Sequence, residues 1–377
     1  MYESSFPRGI ATGSAFCNRK AERKRLAQNI QSGQHTLLMS PRRYGKTSLV
    51  RYAIEESGFH FGEADLFVAV DAKRVEQRIL SGIKMILNNI GAPIENTLKL
   101  IRDYFKKTNS KWVIGTQGVS IELIPSQEND PASNIMDALL ALENLLAQKK
   151  KRAVLFLDEV QEMGEVAEGK GIEGAIRHAA QESQCLSLIF SGSSRRLLGK
   201  MFFDKTRPLY KLCDRINLTR ITKIDYKKHL NKLALKRWGD NLPELSIDKI
   251  LNLTEQHPYY VNNLCLRLWE SALESPPAIE EIESYWHHFV KEERLETARE
   301  LSSLSIGQRK VLIAIASGRN KNLTGKKALN IINLTSSSTL EALNVLEQKD
   351  YIERHDHEYS IIDPLIKTSL NLYFGES

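Results

Sequence analysis

No apolar run in this 377-residue sequence approaches the roughly 20 residues a bilayer core demands, so no membrane-spanning helix is expected. The first 30 residues, "MYESSFPRGIATGSAFCNRKAERKRLAQNI", lack the apolar h-region of a secretory leader. Cysteine is scarce: Cys17, Cys185, Cys213 and Cys265 are far apart and form no CxxC pair. Reduced, mostly buried thiols in a cytoplasmic protein are expected, with no metal site built on them. Internal repeats and low-complexity tracts are also lacking. What is present is ordinary for a globular protein, 42% hydrophobic and 26% charged residues, in a chain long enough for two or three domains.

The net charge of +7 is unevenly distributed. Residues 1–60 hold ten Lys/Arg against four Asp/Glu, residues 61–300 balance at 34 each, and residues 301–377 carry nine against eight. The basic excess therefore surrounds one stretch, "LLMSPRRYGKTSLV" (37–50), where it suits a polyphosphate. A scattered solvated surface would give the same sum.

Along the chain, "QHTLLMS" (34–40) reads as a short buried strand and "TSLVRYAIEES" (47–57) as a helix. "ADLFVAVDA" (64–72) reads as a second buried strand. Residues 73–150 read as largely helical, interrupted by a small hairpin in "KWVIGTQGVSIELIPSQENDP", with Asp130-Pro131 opening a helix. "RAVLFLDEVQEM" (152–163), "LSLIFSGSS" (186–194) and "INLTRI" (216–221) supply further strands. The alternation predicts an α/β fold with a parallel sheet covered on both faces. Residues 225–300 then turn helical, with Asp225 capping a helix that Gly239 ends. Residues 304–363 read as three helices and a two-stranded wing. The expected domains are an α/β core over 1–222, a helical lid over 223–300 and a winged helix over 301–377.

A phosphate-binding loop needs curled backbone N–H groups at a helix N-terminus, a lysine for the β/γ oxygens and a hydroxyl ligand for magnesium. Gly45, Lys46 and Thr47 supply these in a strand–loop–helix context. Ser40 stands where the usual pattern has its first glycine, and a serine can follow the strand in an extended conformation. A surface lysine at an ordinary helix start is the bland alternative. The second motif decides: "VLFLDE" ends a buried strand in Asp158-Glu159, one acid for the magnesium shell and one to polarise a water. Together they point to nucleoside triphosphate binding.

At this point the sequence resembles the archaeal-type ATPase family, part of the STAND group related to AAA+ proteins. "GSAFCNRKAERKRL" is similar to that family's opening motif, "SPRRYGKTSL" to its phosphate loop and "FLDEVQEM" to its acidic strand end. "IFSGSSRRLLGKMFFDKTRPLY" is similar to its sensor region, "EQHPYYVNNLCLRLW" to its lid start and "SSSTLEALNVLEQKDYIER…YSIIDP" to its winged helix. The resemblance implies an ASCE/AAA+-like P-loop NTPase sheet with ATP and Mg2+ as ligands. It places Arg19 and Glu22 near base and ribose, and residues Ser40, Pro41, Arg42, Arg43, Tyr44, Gly45, Lys46, Thr47 and Ser48 around the phosphates. Thr47 and Asp158 would hold the metal, Glu159 would act on the water, and Ser191 or Ser193 would sense the γ-phosphate. His257, Pro258 and Tyr259 would begin the lid helix over the nucleotide. Relatives often carry Gly-Arg after "PLY", whereas Lys211 and Leu212 follow Tyr210 here. A γ-phosphate arginine therefore stays open among Arg195, Arg196, Arg207 and Arg215.

A DNA-reading helix offers basic and amide side chains. "SSSTLEALNVLEQK" offers Glu341, Glu347, Asn344 and one late lysine, Lys349. Arg319, Lys321, Lys326 and Lys327 precede it and suffice for weak, non-specific phosphate contact. The winged helix is therefore expected to serve as a protein-partner surface. The sequence predicts an ATP hydrolase that acts as a nucleotide-dependent switch between ATP and ADP states, with self-association possible. The rival is a nucleic-acid-binding regulator with a secondary or degenerate ATP site. A small-molecule phosphotransferase is a weaker third reading, since no substrate-binding element stands out.

Overall fold

The computed structural model describes residues 5–90, 102, 112–117, 120–125, 130–271 and 274–374. They form two compact units: residues 19–42 with 46–219, and residues up to 18 with 43–45 and the chain from 220 onward.

In the first unit the chain forms strands β1 (Thr36–Met39) and β2 (His60–Asp65), a hairpin of β3 (Trp112–Gln117) and β4 (Ser120–Pro125), then β5 (Ala153–Asp158), β6 (Leu186–Gly192) and β7 (Asp214–Asn217). Five of them make a parallel sheet in the order β2-β5-β6-β1-β7. Leu37, Met39, Leu155, Leu157, Leu188 and Phe190 join one large apolar cluster. The residues alternating with them, Leu38, Val154, Phe156 and Ile189, are buried as well. Both faces are therefore covered, which is why these strands read as continuous apolar runs rather than alternating ones.

Register decides where the chemistry lies. Leu38 pairs with Ser191 and Met39 with Gly192, while Leu157 pairs with Phe190. The carboxyl ends of β1, β5 and β6 thus finish level, at the edge where open α/β sheets bind their ligands.

Several expectations need correction. The second strand spans His60–Asp65, not 64–72. Asp65 Oδ1 accepts from the Phe67 N–H at 3.0 Å and Asp71 Oδ1 from the Arg74 N–H at 2.7 Å, so two aspartates turn this stretch into a loop and a helix cap. Phe67, Val68 and Val70 are 62%, 53% and 81% exposed, apolar residues without the burial of a core strand. The helix Lys223–Trp238 is capped by Thr222, whose Oγ1 accepts from the Asp225 N–H at 3.3 Å, and Asp225 sits inside the first turn. Gly239 does end that helix, at φ 75°. Of the cysteines only Cys265 is buried, the other three being half-buried. Asp130 caps its helix as expected, through the Ser133 N–H at 2.9 Å. Much of the predicted helix between 91 and 111 lies outside the described residues.

The second unit holds two apolar cores. Helices Lys223–Trp238, Glu244–Leu253, Pro258–Glu270 and Ile279–Glu292 pack around Tyr260, Leu264, Trp286 and Phe289, with Phe6 joining them edge-on to Trp269. The other core lies in helices Ile306–Ala316, Lys326–Ile332 and Ser336–Gln348, the hairpin β8 (Ile352–His355) and β9 (Glu358–Ile361), and helix Pro364–Phe374. Three helices followed by a hairpin make the winged helix.

Candidate nucleotide-binding site

The loop after β1 closes onto a helix that begins at Lys46. Its left-handed residues are Arg43 at φ 63° and Gly45 at φ 85°; Ser40 is not among them. Serine is tolerated at position 40 for that reason. No atom outside its neighbours lies within 4 Å of a Cβ built on Gly45, so this glycine serves conformation and not close packing. Lys46 is 7% exposed, and its Nζ donates to Ser40 Oγ at 3.4 Å and to the Pro41 carbonyl at 3.3 Å. The cation is folded into its own loop, next to the N-terminal N–H groups that a phosphate would meet. Ser48 and Pro41 are buried beside it, and Arg42 is exposed.

Asp158 ends β5 and collects three hydrogen bonds beside the loop. Its Oδ2 accepts from Thr47 Oγ1 at 3.0 Å; its Oδ1 accepts from the Glu159 N–H at 3.0 Å and from Ser191 Oγ. Adjacent ligands of an octahedral Mg2+ lie about 3.0 Å apart, given metal–oxygen distances of about 2.1 Å. The hydroxyl and carboxylate oxygens of Thr47 and Asp158 are hard donors at that spacing, so the pair fits magnesium.

Glu159 follows at φ 53°, a left-handed conformation costing about 1–3 kcal/mol. Burial of Val154, Leu155, Phe156 and Leu157 in the same strand returns about 1.5–3 kcal/mol each, so the strand holds its strained end in place. Glu159 Oε2 accepts from Gln161 Nε2 at 2.5 Å, from the Ser193 N–H at 3.1 Å and from Ser193 Oγ at 2.8 Å. Burial pushes its carboxyl up, but the bonds from Gln161 and Ser193 and the Lys46 charge outweigh it, leaving the group below the usual carboxylate range. The two serines thus have separate tasks: Ser191 buttresses Asp158 and Ser193 buttresses Glu159.

The remaining expected residues fall in two places. Arg19 caps helix Lys20–Gln31 in the first unit at φ 59°, with its Nη1 3.2 Å from Glu22 Oε1. In the second unit, the Arg43 guanidinium lies 4.2 Å above the Tyr259 ring. Tyr44 meets His257 edge-on at 4.7 Å, and its hydroxyl accepts from Arg220 Nε at 3.4 Å. His257 and Pro258 open helix Pro258–Glu270. His257 is 3% exposed, and burial, with the charges of Arg220 and Arg43, lowers its pKa to about 3. Its imidazole is neutral.

Among the arginines left open, Arg207 is committed to structure. Its Nε donates to Glu173 Oε2 at 3.1 Å and its Nη2 pairs with Glu173 Oε1, a fully buried carboxylate. Arg215 stacks 5.0 Å from the Phe203 ring and donates to Asn217 Oδ1 at 2.6 Å. Arg195 is half-buried and Arg196 exposed.

Sequence reasoning missed Gln161, Gly192, Arg220 and Asp363. Gln161 lies within the quoted "DEVQ", but only the fold shows what its amide touches. Arg220 donates to the Glu255 carbonyl at 2.7 Å, to Glu255 Oε2 at 2.9 Å and to the Ile362 carbonyl at 3.1 Å. Asp363 accepts from Tyr260 Oη at 2.6 Å and from the Leu365 N–H at 2.8 Å.

The order of elements and the level strand ends define a P-loop-type α/β fold, followed along the chain by a helical bundle and a C-terminal winged helix. Residues 298–372 match the family model described as a probable winged helix domain. The whole chain superposes on the Walker-type ATPase PABY2304 of Pyrococcus abyssi at TM-score 0.69 and 18% identity, covering 97% of this chain and 99% of that one. It is also similar to the ORC2 protein of Aeropyrum pernix, solved as ADPNP-ADP complexes, at TM-score 0.53 and 14% identity, with 95% of each chain covered. No curated protein matches the sequence. Among the described residues no helix is long and apolar enough to cross a membrane.

Proposed function

We propose that this chain binds ATP with Mg2+, hydrolyses it slowly, and uses the ATP and ADP states as a switch read out through its winged helix. The observation that carries the reading is the paired carboxylates: Asp158 holds the Thr47 hydroxyl at 3.0 Å while the strained Glu159 is fixed beside it. Bound magnesium would neutralise charge on the β/γ oxygens between Thr47 and Asp158. Lys46 exchanges its loop carbonyl and Ser40 for phosphate oxygens. Glu159, ionised at neutral pH, accepts a hydrogen bond from the attacking water and orients it.

The relay runs through contacts of the second unit. Arg43 and Tyr44, from the phosphate loop, rest on Tyr259 and His257 at the start of the lid helix. Arg220 joins Tyr44 to the turn at Glu255 and to the Ile362 carbonyl of the winged helix, and Glu255 also pairs with Lys367. A phosphate that moves Arg43 and Tyr44 therefore acts on bonds that end in the winged helix. The surface of that domain supports a protein partner: the would-be recognition helix exposes Leu340, Glu341 and Glu347. Duplex contact is confined to backbone charge from Arg319, Lys326 and Lys327, with Lys321 paired to Glu358. Turnover of ATP, with and without Mg2+, tests the reading, with Lys46→Ala as the control; a purified protein that binds no ATP would end it.

A further inference from the structure

Gln161 is 3% exposed and contacts the catalytic end of β5. Its Nε2 donates to Glu159 Oε2 at 2.5 Å and to Glu162 Oε1 at 3.3 Å. Both neighbours are carboxylates, which only accept, so the amide must present its NH2 to them. Its own Oε1 is buried without a hydrogen-bond partner. A Cβ at Gly192 would lie 2.0 Å from that oxygen and 3.2 Å from Gln161 Cδ. Gly192 is not a left-handed residue, so its lack of a side chain is what admits the Gln161 amide between Ser191 and Ser193. The fold therefore accommodates a buried, half-satisfied amide at this point. Every hydrogen bond to the Glu159 side chain falls on Oε2, from Gln161 on one side and Ser193 on the other.

We infer that Gln161 is a positioning residue for hydrolysis: with Ser193 it clamps one Glu159 oxygen, so that Oε1 is the one presented to the attacking water, and Gly192 is the space that lets it do so. This rests on the proposed role of Glu159. Without the clamp the carboxylate rotates, and its ionised form loses a donor. Ground-state nucleotide binding does not use Gln161, whereas the water-attack step does, so the effect belongs in kcat and not in KM.

The test compares Gln161→Leu, Gln161→Glu and Glu159→Gln, singly and as the Gln161→Leu/Glu159→Gln double variant. ATP affinity is read by equilibrium titration, and turnover at saturating ATP. Gln161→Leu should keep ATP affinity within about twofold and lower kcat about 10- to 100-fold, a part of the ~100- to 10,000-fold a general base supplies. Gln161→Glu, nearly the same shape, replaces the NH2 that donates to Glu159 with an oxygen that cannot, so it should lower kcat likewise at unchanged ATP affinity, and it stands in if the leucine variant does not fold. In the double variant the two losses should not add, since both act through one carboxylate. Parent-like kcat in Gln161→Glu, or additive losses in the double variant, would overturn the inference while leaving Glu159 as base. Unchanged turnover in Glu159→Gln would overturn the hydrolytic reading and this inference with it.

Discussion

Thr47 Oγ1 donates to Asp158 Oδ2 across 3.0 Å, joining the first turn after the phosphate loop to the end of a strand 111 residues away in sequence. The same two oxygens are the ones a magnesium ion would share, so each side chain keeps the other's rotamer ready. Asp158→Asn should weaken Mg2+-dependent ATP affinity as well as turnover. Thr47→Ala should do the same to a smaller degree. Titrations with and without magnesium check this; equal losses in both would mean the two residues only support the fold.

Glu159→Gln should fail differently. It retains the shape and the hydrogen-bonding capacity toward Ser193 but loses the charge needed in the transition state. ATP binding should stay near that of the parent while turnover drops ~100- to 10,000-fold.

Lys46→Ala should abolish measurable triphosphate affinity with the fold intact, because it removes the loop's one buried cation and leaves Ser40 and Pro41 facing each other. Circular dichroism and ATP titration on the same sample separate folding from binding.

One buried and one half-buried histidine make stability fall in acid. Burial lowers the pKa of His257 to about 3 and that of His229 to about 4, from an ordinary value of 6.5. The unfolded chain therefore binds protons that the fold refuses. The stability is fully present above about pH 6.5 and is lost as pH falls toward these lowered values, at up to about 1.4 kcal/mol per pH unit for each group. Urea denaturation at pH 7 and pH 5 should show the loss, and a His257→Gln variant should show a shallower slope.

Tyr260 and Asp363 should prove unequal. Tyr260→Phe leaves the half-buried Asp363 carboxyl without its 2.6 Å donor and should cost about 1–3 kcal/mol. Asp363→Asn keeps one acceptor oxygen for the Leu365 and Ile366 N–H groups and turns its NH2 to the Tyr260 hydroxyl, which can rotate to accept, so urea denaturation should show a smaller loss.

Much of the site could be read in the sequence because its parts are contiguous: a strand, a loop ending in Gly-Lys-Thr, and a strand ending in two acids. The β5 and β6 segments were legible because burial on both faces demands unbroken apolar runs. The same rule misplaced β2, since Phe67, Val68 and Val70 are apolar yet solvent-facing, and aspartate turns override composition there. Arg220, Asp363 and Gly192 carry no local signal. Their roles depend on partners 30 to 180 residues away, or on the room a missing Cβ leaves, and only the folded chain shows either.

Cys265 lies fully buried in the core of helix Pro258–Glu270, with its thiol pushed up by burial, while Cys17, Cys185 and Cys213 are half-buried. A thiolate-directed alkylating reagent can reach that sulfur only when the surrounding helices part. The natural sequence thus contains its own stopwatch for this helical core: the rate at which Cys265 gains a label, read by mass spectrometry with ATP present or absent, measures how often that core opens without any engineered probe.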